Sequence, residues 1–323
     1  LRSLALLLLC LFANASVSSP RTCTSGRLPV LPIEGFNSVV NQFASQFQPH
    51  HMVNDAIAQI GHNAQIEAKF TYGAVAKDMS KEFVELWVDI CHEHYALLDR
   101  QRTDGDGRVT FSVEASLLGE VGTYALLIRV VGDGSIAKSK LRVVSTGQKL
   151  AVFDIDGTLT AHDSDMSFDV LYDIYHGVYA PPKRAYAAEL THLLRDKFGY
   201  EIVYLSGRPH FLNNLTRKWL VDNDFAPGTL KITQTLFQSI PTQGHVGQFK
   251  RDTLMNLKKA GLVIPRAYGN VETDAFSYKS VGIAEEKIFL LGKYSGSFGV
   301  VGLGTDFESH YRQLANDENA VLD

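Results

Sequence analysis

Between positions 62 and 146 apolar and polar residues alternate in short runs: 66–72, 83–88, 109–113, 122–131 and 137–144. Alternation puts one side of each run towards a core, and turn residues recur about every ten positions, so the region predicts a small antiparallel, immunoglobulin-like β-sandwich. Upstream, Phe36, Val39, Val40, Phe43 and Phe47 recur at helical spacing over 35–46, and 53–60 reads as a second short helix. Positions 20–61 are therefore expected to form a helical segment ahead of the sandwich. The stretch 144–149 (VSTGQK) reads as a linker. Beyond it the period changes, with strands expected at 150–153, 201–205, 266–269 and 287–291. Helices alternate with them over 182–198, 211–221, 248–260 and 273–281. That order predicts a Rossmann-like parallel sheet over 147–323, with active groups at the carboxyl ends of its strands.

The chemistry concentrates at those ends. Residues 151–160 read AVFDIDGTLT. Asp154 and Asp156 lie two apart where the first parallel strand stops, so both carboxylates point to one side. Like charges so close repel, and a cation or a shared proton relieves them. Mg²⁺ suits an all-oxygen set. One carboxylate can then attack phosphorus while the other moves protons. Ser206 and Gly207 end the second strand and offer a hydroxyl and backbone N–H groups to a phosphoryl oxygen, as does Thr158. Lys250, with Arg251 as a fallback, opens a later helix and can offset phosphate charge. Asn270 and Asp274, one helical turn apart, complete an expected metal set of Asp154, Asp156, Asp274 and Asn270.

In this order the four segments resemble the motifs of the haloacid dehalogenase (HAD) superfamily. DIDGTLT, the 269–278 run and the 281–289 ending look like lipin-type phosphatidate phosphatases. Ile202-Val203-Tyr204, Gly207-Arg208-Pro209, Trp219-Leu220 and Ala267-Tyr268-Gly269 are similar to the C-terminal domain of membrane-associated phosphatidylinositol-transfer proteins of the retinal-degeneration-B type. Phe70-Thr71-Tyr72-Gly73 and 104–109 look like what precedes that domain there. The resemblance implies a HAD-like fold and a Mg²⁺-dependent phosphomonoesterase working through an aspartyl-phosphate on Asp154. Asp156 would be the acid and base, Lys250 the charge stabiliser, and phosphatidic acid the expected substrate. Two alternatives stand behind it: a module that binds phosphatidic acid without cleaving it, against which the retained Asp154-Asp156 pair argues, or a phosphatase for a soluble ester. Tyr172, Ile174, Tyr175, Val178 and Tyr179 could line a lip for peripheral membrane contact or, equally in keeping with their spacing, pack as the core face of a helix.

The remaining features adjust this picture. A net charge of −4 without a basic run argues against nucleic acid. Arg2, an apolar run over 4–13 and Ala13-Asn14-Ala15 have the layout of a secretory signal peptide, and so predict a secreted or extracytoplasmic chain. Cys23 and Cys91 could pair, or Cys91 could be a buried thiol. His50 and His51 are expected to play a structural or solvated part. Asp104-Gly105-Asp106-Gly107 reads as a hairpin turn rather than a calcium loop. Asn214-Leu215-Thr216 is a glycosylation sequon inside an expected helix.

Overall fold

The computed structural model describes residues 21–23, 26–73, 76–91, 95–161 and 180–317. The signal-peptide layout and Tyr172, Ile174, Tyr175, Val178 and Tyr179 fall outside them.

The alternating runs form strands Asn63–Lys69, Phe83–Asp89, Arg108–Glu114, Gly122–Val130 and Ile136–Val144. Asn63–Lys69 and Arg108–Glu114 bury every second side chain, as a sheet with one wet face must. Two sheets face each other across a core that includes Ile66, Phe111, Leu86, Ile128 and Leu141. Phe83–Asp89 is buried on both faces because residues 32–38 lie across its outer side. There Arg129 donates to Pro32 O and bridges to Glu85, and Asn37 and Ser38 donate to Glu82.

Several expectations for the first half need correction. The helix shrinks to Val39–Ala44. The second helix is absent: strands Met52–Val53 and Ala56–Gln59 occupy that stretch, the latter pairing in parallel with Ile136–Val144. The helical reading failed because the stretch is split at Asn54-Asp55, whose polar groups serve tertiary contacts. Arg21–Cys23 also pairs in parallel, with Gly122–Val130, so the sandwich is mixed rather than purely antiparallel and recruits residues from 20–61. Tyr95–Arg102 is a further strand that the sequence concealed, because its apolar residues come in one block (Tyr-Ala-Leu-Leu) ahead of a polar one and do not alternate. It and Arg108–Glu114 belong to different sheets. The 104–107 segment is therefore a turn between sheets, not a hairpin, closed by Asp104 Oδ1 accepting from the Asp106 and Arg108 N–H groups. Cys23 and Cys91 form a disulfide. His51 is half-buried, packs against Phe70 and Tyr72 and bonds Ser135, a structural role.

The second half is built on six strands in the order Gly228–Ile232, Glu201–Ser206, Lys149–Phe153, Val263–Gly269, Ile288–Leu291, Val301–Gly304. Every pairing among them is parallel. The edge strands Gly228–Ile232 and Val301–Gly304 and the helix Glu308–Asn316 had no counterpart in the sequence reading. The 182–198 helix resolves into Ala187–His192 and a wider-wound turn Leu193–Lys197. Period-2 alternation divides the sheet cleanly. Leu150, Val152, Val203 and Leu205 join a core continuous with the sandwich, while Ala151, Phe153, Ile202 and Tyr204 face a separate one. The chain runs from Lys149–Phe153 to one side and returns to the other. This leaves a switch point beside that strand's carboxyl end, where open α/β sheets place their ligands.

The two halves are joined by hydrogen bonds along an exposed sheet edge. Asn54 exchanges two with Ile232 (2.9 and 3.0 Å), and Asp55 accepts from Leu230 N–H at 3.0 Å and from Arg217 at 2.7 Å. Pairing the edge protects it from pairing with another chain. Asp55 is fully buried, which opposes its charge, yet Arg217, Lys140 and the Leu230 N–H together hold its carboxyl below the ordinary value. Asp55→Ala removes the acceptor of the Leu230 and Lys140 N–H groups and the carboxylate partner of Arg217, which keeps only its bonds to Asn213 and Val53 O. It should cost about 2 kcal/mol, read by urea unfolding. Because the folded carboxyl is depressed, this contribution is present above about pH 4 and is lost as pH falls towards the lower folded value. The wild-type advantage over the variant should therefore shrink in acid.

Candidate functional site

Asp154 continues the Lys149–Phe153 strand by one bond, its N–H donating to Tyr268 O at 2.9 Å. The chain then folds back, with Leu159 and Thr160 N–H both returning to Ile155 O. Gly157 takes φ +78°, and a Cβ there would collide with Asn270, so the turn demands glycine. Arg184 clamps it from outside by donating to the carbonyls of Gly157 and Thr158.

Two polar clusters grow from this turn. In the first, Lys250 Nζ lies 2.5 Å from Asp154 Oδ1 and 2.5 Å from Asp274 Oδ1. Thr158 Oγ1 sits 3.0 Å from Asp154 Oδ2 and 3.2 Å from Asn270 Oδ1. All five residues are buried. Asp274 also accepts through Oδ2 from the N–H groups of Asn270 and Val271, the reach-back contact of a third-position acid at a helix start. In the second cluster, Arg208 Nε lies 3.0 Å from each oxygen of Asp156, and Nη2 lies 2.6 Å from Oδ1. Ser206 donates to Asp156 at 3.1 Å and accepts from Arg208 N–H. Nη1 of Arg208 reaches Thr216 Oγ1, which is buried and occupies the sequon's third position.

The electrostatics follow from burial. Desolvation pushes the Asp154 carboxyl up to about 7; Lys250 pulls it back, while Asp274 and Asp156 push it further up. Burial opposes charge on Lys250 as well, but the two carboxylates outweigh it and hold the ammonium above its ordinary value.

The structure thus brings together Asp154, Lys250, Thr158, Asp274 and Asn270, and sets Asp156 and Ser206 in the adjoining cluster with Gly207 between Ser206 and Arg208. The fallback Arg251 is partly exposed and pairs with Asp252. Two residues escaped the sequence reading. Arg208 was legible only as the residue after a Ser-Gly strand tip, and Arg184 carried no signal. The expected metal set does not fit a cation as it stands. Asp156 is matched by a guanidinium, and both oxygens of Asp274 by an ammonium and backbone N–H groups. Among the described residues no group of three or more His, Cys, Asp or Glu is placed to hold a metal ion.

Comparison with known proteins gives consistent matches along the chain. Residues 151–292 match the family description "PITM 1-3, LNS2 domain", and residues 49–143 match "PITM 1-3, beta-sandwich domain". The Drosophila melanogaster protein retinal degeneration B is 28% identical over 249 residues, covering 76% of this chain and 18% of that protein. Human membrane-associated phosphatidylinositol transfer protein 2 is 27% identical over 247 residues, covering 76% and 17%. Human membrane-associated phosphatidylinositol transfer protein 3 is 28% identical and is covered to 24%. The chain therefore spans about a fifth of the length of these relatives.

These matches correct the localisation expectation. The relatives are membrane-associated proteins by name, which overturns the secreted or extracytoplasmic reading drawn from residues 1–15. Among the described residues no helix is long and apolar enough to cross a membrane. The sandwich and the parallel-sheet domain that carries the site are related, in that order along the chain, to the β-sandwich and LNS2 domains of the PITM 1-3 family.

Proposed function

We propose that this chain is a phospholipid-binding module whose LNS2-related, HAD-like domain takes the phosphate of an acidic phospholipid, phosphatidic acid in the first instance, without turning it over. One observation carries the reading: Arg208 grips Asp156. Turnover would require Asp156 to give a proton to the leaving oxygen and then take one from water. Instead both its oxygens accept hydrogen bonds from a buried guanidinium held on its far side by Thr216. Binding needs only donors, and Ser206, Thr158, Lys250 and Arg208 supply them around one strand tip. The relatives' names, phosphatidylinositol transfer proteins, support a phospholipid partner.

In this account an incoming phosphate competes with Asp156 for Arg208. Asp156→Asn removes a like charge and frees donors, so affinity for phosphatidic acid vesicles should rise by about tenfold, measured by vesicle sedimentation. A weaker-binding Asp156→Asn protein would contradict the reading. The second reading is a Mg²⁺-dependent phosphatase, favoured by the retained Asp154 with Lys250 at 2.5 Å and Thr158 at 3.0 Å. It asks the ammonium of Lys250 and the fork of Arg208 to give way before a cation and a proton can act. If it held for a soluble ester, hydrolysis would be seen with glycerol 3-phosphate and not with vesicles.

A further inference from the structure

The strand Gly228–Ile232 ends beside Arg208, and the loop that leaves it, residues 233–246, departs from the rest of the surface. In a chain that is 20% charged it contains no Asp, Glu, Lys or Arg. At its tip Leu236 is 50% exposed and Phe237 67% exposed. Several of its polar groups bond within the loop, while Gln243 reaches out to Glu272. Thr233 Oγ1 and Ser239 Oγ lie 2.6 Å apart, Gln238 Oε1 accepts from Gln234 N–H, Thr235 Oγ1 accepts from Gln238 N–H, and Thr242 bonds His245. The ring of Phe237 rests edge-on against His245 at 4.1 Å. Such a turn holds its apolar tip outward instead of folding it away.

Both ends of the loop are fastened to the phosphate-binding segment. Thr233 donates through N–H and Oγ1 to Arg208 O at 3.1 and 2.9 Å. Val246 packs so closely on Gly207 that a Cβ at 207 would collide with it. An uncharged turn with an aromatic tip, whose tip-side polar groups bond one another, loses less on leaving water than a charged loop would.

We infer that residues 233–246 form a wedge that enters the acyl–headgroup boundary of a lipid bilayer and so brings the rim of the phosphate site against the leaflet. The inference rests on the phospholipid-binding reading, and it commits to a bilayer as the occupant of the Leu236–Phe237 tip. The site supplies headgroup selectivity, and the wedge supplies a residence that does not depend on net charge, in keeping with the chain's −4.

The test uses the full chain with phosphatidylcholine vesicles, with and without phosphatidic acid, and with glycerol 3-phosphate as a soluble phosphate probe. The variant Leu236→Ser with Phe237→Ser should lose at least about tenfold in affinity for phosphatidic acid vesicles and keep the wild-type affinity for glycerol 3-phosphate. Phe237→Trp should gain emission that acyl-brominated lipid quenches. A double variant that binds vesicles as the wild type does, or Phe237→Trp emission left unquenched on bound vesicles, overturns the wedge and leaves the phosphate site standing. Vesicle binding that ignores phosphatidic acid but is lost in the double variant overturns the phosphate reading and keeps the wedge. A double variant that changes only self-association assigns the tip to a second copy of the chain and overturns the bilayer as its occupant.

Discussion

Lys250→Met should unfold about 3–5 kcal/mol more easily than the wild type. Methionine nearly preserves the volume and deletes the ammonium, so Asp154 and Asp274 are left facing each other in a buried space. Neither can reach water: Asp154 is 4% exposed and Asp274 is fully buried. The pH dependence distinguishes this cause from lost packing. An unfolded aspartate gives up its proton near pH 4, whereas burial already pushes the folded Asp154 carboxyl up to about 7 with Lys250 in place. The folded state therefore binds more protons than the unfolded state across that window, and stability falls as pH rises through it. Removing Lys250 deepens the effect. The deficit should be small and flat below about pH 7 and should widen as pH rises above it, where the wild-type Asp154 ionises beside Lys250 and the variant's resists charge, in urea unfolding at about pH 6 and about pH 9. A deficit independent of pH would assign the loss to packing alone.

Arg208→Gln should cut affinity for phosphatidic acid vesicles by about 30- to 4,000-fold, the range for removing one member of a buried, hydrogen-bonded charge pair. The loss has two parts. A donor to the phosphate disappears, and Asp156 is left as an unmatched negative charge at the mouth. The second part is separable. Adding Asp156→Asn to Arg208→Gln removes that charge and should restore part of the affinity, whereas Asp156→Asn alone should exceed the wild type. This opposite response of two residues in one ion pair is a signature of binding. A hydrolytic site would lose activity on both substitutions. Sedimentation with and without phosphatidic acid reads the series.

The parts of the site legible in the sequence were those set by chain-local geometry. Asp154, Asp156, Gly157 and Thr158 announce a strand end because the apolar run stops and a glycine must take positive φ there. Asn270 and Asp274 announce a helix start for a comparable reason. Arg208 and Arg184 were not assigned because their partners lie in other elements, and a lone arginine carries no period. The same distinction explains the fold. Strands that bury one face alternate and were found. Gly228–Ile232 alternates over only five residues, too short a run to stand out, and its polar members Thr229 and Lys231 are buried as well, the strand's edge being paired by Asn54 and Asp55. The 53–60 segment looked helical because the tertiary role of Asn54-Asp55 leaves no trace in local spacing. The cation reading rested on carboxylate spacing alone, because nothing in local sequence shows that Lys250 and Arg208 lie against Asp154, Asp156 and Asp274.

The central claim, capture of a phospholipid phosphate without cleavage, is tested most directly by one incubation of the full chain with phosphatidic acid vesicles and Mg²⁺. Protein sedimenting with the vesicles and inorganic phosphate released into solution are measured in the same tube, beside an Asp154→Asn control. The account predicts phosphatidic-acid-dependent sedimentation with phosphate release no greater than in the control. Metal-dependent release by the wild type that disappears in Asp154→Asn would contradict it and establish the phosphatase.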